Sequence, residues 1–198
     1  MTRHSAIRIA AAAAAALATP VLAAAPATAG AGLNPPPPSW YSCRSTGSGT
    51  VCHGTMTFEH SAGFDGTCPQ GFDLLENGYK EELGKRVYDR DGNLVERVLH
   101  DRFPPGDPRN VIYSSLTGTA VGYWADVTET DTFAIPGDFD SMSARIVGNL
   151  YTETEPGSGL LSHDVGILAF APDGSVTEDR GPKMLFDGEV DKLCAALS

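Results

Sequence analysis

Outside its first 29 residues, this 198-residue chain has no apolar run near the ~18 residues that a membrane-spanning helix requires. Basic residues are scarce: 14 lysines and arginines stand against 25 aspartates and glutamates. A chain so charged is repelled by phosphate backbones and anionic lipid surfaces, so neither nucleic acid nor a membrane is an expected partner. Catalytic signatures are missing as well. There is no C-x-x-C pair, no H-E-x-x-H helix, no phosphate-binding loop and no dinucleotide fingerprint. Gly157-Ser158-Gly159 lacks the spacing of a nucleophile elbow. Asp89-Arg90-Asp91-Gly92-Asn93 places glycine fourth rather than sixth, and no glutamate closes it, which excludes an EF-hand. No metal and no cofactor is expected.

What is present begins at the N-terminus. Arg3 and Arg8 precede an apolar run from Ile9 to Ala18, and Ala27-Thr28-Ala29 offers an A-x-A cleavage site. That pattern is a secretory signal peptide over residues 1–29. Cleavage would leave 169 residues with 12 basic and 25 acidic side chains, enough for one secreted domain. Residues 30–39 carry four consecutive prolines and read as an extended lead-in. The domain is expected over 40–198.

Export exposes the four cysteines, Cys43, Cys52, Cys68 and Cys194, to an oxidising environment. Three pairings are possible. Cys43 and Cys52 flank a Ser/Gly turn and are expected to pair, leaving Cys68 for Cys194. On the loop-closure argument the short bridge is worth about 2.7 kcal/mol and the long one roughly 5.

From Trp40 onward the patterning is antiparallel β. Cys52, Gly54, Met56, Phe58 and His60 alternate onto one face. Tyr79 to Tyr88 and Leu94 to Phe103 flank the Asp-Gly turn of a hairpin. Val121, Tyr123, Ala125 and Val127 share a face, as do Leu161, His163, Val165, Ile167 and Ala169. Only the tail reads as helix, with Asp187 a possible cap and Val190, Leu193, Cys194 and Leu197 at helical spacing. The expectation is a mainly β domain of about eight to ten strands with a short C-terminal helix. A closed β-barrel fits short sequential connections, and a β-sandwich is the alternative.

Two resemblances follow from these tracts. Trp40-Tyr41-Ser42-Cys43, Thr50-Val51-Cys52-His53-Gly54 and Arg86-Val87-Tyr88-Asp89-Arg90-Asp91-Gly92-Asn93-Leu94-Val95 resemble uncharacterised secreted proteins of actinobacteria. The likeness spans most of the mature chain and implies export, but carries over no activity and no site residues. The strand order is similar to that of lipocalin and allene-oxide-cyclase barrels, which implies a ligand-holding interior at the level of architecture alone.

Chemistry is therefore sought in the inward faces. Parity aims His60 and His163 at the interior, beside Met56, Phe58 and Tyr123. Small inward residues (Gly54, Ala125, Gly148, Ala169) would leave room for a molecule in a barrel mouth. The leading expectation is a non-enzymatic binder of a small, largely apolar molecule, with Met56, Phe58, His60, Tyr123 and His163 as its wall. A cofactor-independent hydrolase or isomerase with His163 as base is the alternative. A third reading is a protein-binding module or protease inhibitor presenting the Cys43–Cys52 segment.

Overall fold

The computed structural model describes residues 32–155, 159–182 and 190–198. Residues 1–29, where a signal peptide is expected, the first lead-in residues and Asp187 lie outside the described residues. Nine strands and one helix are described: β1 (Tyr41–Thr46), β2 (Gly49–Thr67), β3 (Asp73–Tyr88), β4 (Leu94–Phe103), β5 (Val111–Ser114), β6 (Ala120–Phe133), β7 (Met142–Glu155), β8 (Gly159–Phe170), β9 (Val176–Arg180) and α1 (Asp191–Ala196). All pairings between strands are antiparallel, in the order β1-β2-β3-β4-β6-β7-β8-β9, with β5 joined to β3 and β6. The expected class, mainly β with a terminal helix, is what forms.

β4 and β5 behave as one ribbon cut in two. Both run antiparallel between β3 and β6; β4 pairs Glu81 through Tyr88, and β5 pairs Leu74 through Asn77. Residues 104–110 leave the sheet between them, so its hydrogen bonds form a ring around the gap. Asn110, fully buried, closes that gap. Its Oδ1 accepts from the Tyr79 amide at 2.6 Å, its carbonyl accepts from the Tyr123 amide at 3.0 Å, and its Nδ2 donates to the Pro104 carbonyl at 3.3 Å. Buried backbone amides need such partners. Asn110→Ala is expected to cost about 3 kcal/mol by orphaning the Tyr79 amide and the Pro104 carbonyl. A urea unfolding midpoint within error of the parent's would refute this account.

One face of the sheet carries the core, and transverse registers fix its rows. Cys52, Arg86, Arg97, Asp131, Ala144 and Phe170 form one row; Met56, Glu82, Asp101, Val127 and Gly148 form another. Apolar side chains gather at the two ends of this inner face. Leu74, Ile112, Val121 and Tyr123 pack with Phe72, the Cys68–Cys194 bridge, Leu193 of α1 and Leu197 just after it. At the other end Cys52, Tyr88, Leu94 and Phe133 pack with Leu33, Tyr41 and Met142. Between them lies a charged band. Lys80 holds Asp101 at 2.7 Å and Glu82 at 3.1 Å, and Arg97 pairs with Asp131 and Glu129.

Both expected disulfides form, Cys43–Cys52 with Cα atoms 4.0 Å apart and Cys68–Cys194 at 5.5 Å. The described part of the lead-in is not a free spacer. The Asn34 amide donates to the Gly92 carbonyl at 2.7 Å, the Leu94 amide to the Asn34 carbonyl at 2.8 Å, and the Tyr88 hydroxyl to the Pro35 carbonyl at 3.0 Å. Leu33 supplies the apolar reason for this docking, because it completes the second core.

Candidate functional site

Three of the expected wall residues, Met56, Phe58 and His60, follow Cys52 along the inner face of β2, and Tyr123 shares that face from β6. His163 does not. Its neighbours Ser162 and Asp164 are buried, so His163 projects from the opposite face, exposed, its Nδ1 2.8 Å from Thr152 Oγ1. The apolar alternation Leu161, Val165, Ile167 suggested the reverse. Register shifts at Glu153/Thr154 and at Asn149/Tyr151 displace the pairing, and a polar network on β7 and β8 claims the inner positions. Ala169 follows His163's parity, so it opens no space beside Tyr123.

That polar network is what the sequence reading missed. Tyr123 Oη donates to Glu76 Oε1 at 2.6 Å, and His60 Nε2 lies 3.2 Å from the same oxygen. The Tyr123 ring stacks on Tyr151 with centroids 4.6 Å apart. Beyond it, Ser162 Oγ donates to Glu153 Oε2 at 2.9 Å, while Glu153 Oε1 has no partner among the described residues. Burial pushes the Glu153 carboxyl up to about 7, with the neighbouring Asp164 and Glu76 charges adding to the shift. Burial, then the Glu76 charge, also drives the Tyr123 phenol well above its ordinary range.

Gly78 explains how two rings reach Glu76. It sits opposite His60 in the β2–β3 register, and a Cβ there would collide with His60 Cε1 and the Tyr123 hydroxyl. Glycine inside a strand costs stability, and close approach of side chains is a common reason to find one. Gly54 was expected to leave similar room at the other end. There the space is filled: an added Cβ would stand 2.6 Å from the Trp40 ring, and Tyr41 covers the neighbouring Gly84.

Aromatic walls border the His60–Glu76 pair. Phe58 lies nearly parallel to the imidazole at 5.9 Å, and Phe103 meets it edge-on at 6.2 Å. Phe58 is 41% exposed and the His60 side chain 25%, so this end of the network opens toward solvent while Tyr123 and Glu153 are sealed. The Cys43–Cys52 segment is a regular hairpin, in register from Tyr41–Gly54 to Thr46–Gly49, rather than a projecting loop.

A depression of about 450 Å³ beside the 104–110 excursion is lined by His60 and Gly78 as well as by Glu59, Pro108 and Arg109. Arg109 pins that excursion, stacking 3.4 Å over Tyr79 and pairing with Glu59 at 2.8 Å and Asp107 at 2.6 Å. The Arg109 hydrogen bonds hold the Asp107 carboxyl down to about 2. His100 also faces outward, 3.5 Å from Asp126.

Among the described residues no group of three His, Cys, Asp or Glu side chains is placed to hold a metal ion. No described helix is long and apolar enough to cross a membrane. Comparison with known protein families, curated proteins and solved structures finds no match.

Proposed function

We propose that this chain is a secreted, non-enzymatic binder of a small, largely apolar molecule, held where Phe58, His60 and Phe103 border the inner face. The carrying observation is Phe58. It is a large aromatic side chain on the core-bearing face, yet two-fifths of its surface is open, beside a half-buried imidazole. Met56 continues this wall, and Tyr123 braces it through Glu76. In this reading the sheet curls into an incompletely closed barrel, with the patch at one mouth. The two disulfides are consistent with the extracellular setting that the reading requires.

The test is a fluorescence titration of the mature chain, both disulfides intact, with 2-methoxynaphthalene, an uncharged apolar ring. Saturable one-to-one binding is expected, weakened about fivefold by Phe58→Ala through lost ring contact. Absence of saturable binding would sink the proposal, as would indifference to Phe58→Ala. The runner-up, a cofactor-independent hydrolase or isomerase, moves from His163 to His60, because Glu76 Oε1 lies 3.2 Å from His60 Nε2 and can orient its ring.

A further inference from the structure

We infer that Nδ1 of His60 selects the ligand, and that this ligand is an uncharged planar aromatic molecule carrying a hydroxyl donor. The inference rests on the binding reading above and names its ligand class.

Glu76 Oε1 sits 2.6 Å from the Tyr123 hydroxyl and 3.2 Å from His60 Nε2. A carboxylate oxygen has no proton to give, so the tyrosine donates and the imidazole carries its proton on Nε2. In its uncharged form that ring presents a lone pair at Nδ1. That nitrogen takes no hydrogen bond from the described residues, nor does it belong to their solvent-sealed unpartnered atoms. It is an oriented acceptor held over Gly78, where an added Cβ would stand 2.9 Å from it.

The surroundings narrow the class further. Phe58 and Phe103 supply two flat apolar walls, one parallel to the imidazole and one perpendicular, which suit a planar ring. Glu76 lies directly behind the imidazole, and the whole chain carries a net charge of −11, so an anionic ligand is repelled. The acceptor at Nδ1 calls for a donor, whereas Glu76 Oε1 already takes two. What remains is a neutral donor on a ring. Gly78 keeps the geometry possible, because any side chain there would push His60 off Glu76.

A pair of probes isolates the donor. 2-Naphthol and 2-methoxynaphthalene share a ring system, but only the first can donate through its oxygen. Titrated into the mature, oxidised chain at neutral pH, 2-naphthol is expected to bind about tenfold more tightly than the ether, the scale of one hydrogen bond. His60→Phe keeps an aromatic ring and removes the acceptor. It should bring the two affinities within about twofold of each other. Equal affinity of the parent chain for both probes would overturn this inference and leave the binding reading standing, a result that needs no variant to fold. A naphthol preference that survives in His60→Phe would also overturn it. If neither probe binds, the underlying reading fails instead.

Discussion

Replacing Cys68 and Cys194 together by alanine is expected to destabilise the domain by roughly 5 kcal/mol, because the bridge closes a very long loop. The two residues are 126 apart in sequence, and Cys194 belongs to α1, whose Leu193 is sealed in the first core together with Leu197 just beyond the helix. Losing the bridge therefore also frees a helix of only six residues, too short to hold itself in water. The Cys43→Ala, Cys52→Ala pair should cost about half as much, about 2.7 kcal/mol. Its strands are already registered by the hairpin ladder on both sides. Urea unfolding of the two double variants measures the ranking directly. A smaller loss for the long bridge than for the short one would contradict the role given to α1. Since a domain is typically stable by about 5–15 kcal/mol, the long-bridge variant is expected to sit near the edge of folding.

A second large effect is set by pH. Burial keeps the folded Glu153 carboxyl protonated up to about 7, against 4.5 for an ordinary glutamate. The folded state thus holds a proton that the unfolded chain has already released. Its contribution is complete below the unfolded value and disappears as pH rises through the folded one, a swing on the order of 3 kcal/mol. Glu129 adds in the same direction, raised to about 7 by burial first and by Asp131 next. Melting temperature should accordingly fall between pH 5 and pH 8. Glu153→Gln retains an acceptor for the Ser162 hydroxyl and removes the charge. It should flatten much of that slope and melt above the parent at the alkaline end. A parent chain that grows more stable from pH 5 to pH 8 would refute the buried-acid account.

These two groups illustrate what was legible beforehand. Cys52 anchors the parity of β2, so Met56, Phe58 and His60 follow onto the inner face without ambiguity. The Asp-Gly turn at 91–92 fixed the β3–β4 hairpin for a similar reason: only glycine takes the φ of 83° at position 92 without strain. β8 misled because apolar residues occupy both of its parities. Leu161, Val165 and Ile167 compete with Leu168 and Phe170, and the deciding contact, Ser162 to Glu153, is long-range. Glu76 was invisible for the same cause. Nothing adjacent in sequence marks it as the meeting point of His60, 16 residues before, and Tyr123, 47 residues after. One signal was available: Gly78, a glycine within a strand two positions away, which marks a close approach.

The charged band across the middle of the sheet has a consequence for how damage spreads. Lys80, Glu82, Asp101, Arg97, Glu129 and Asp131 satisfy mostly one another, so they act as a polar bulkhead between two oily compartments. A flaw introduced at Tyr88 or Phe133 should stay in its own compartment, leaving the Phe58–His60 mouth to be reshaped by mutation almost independently.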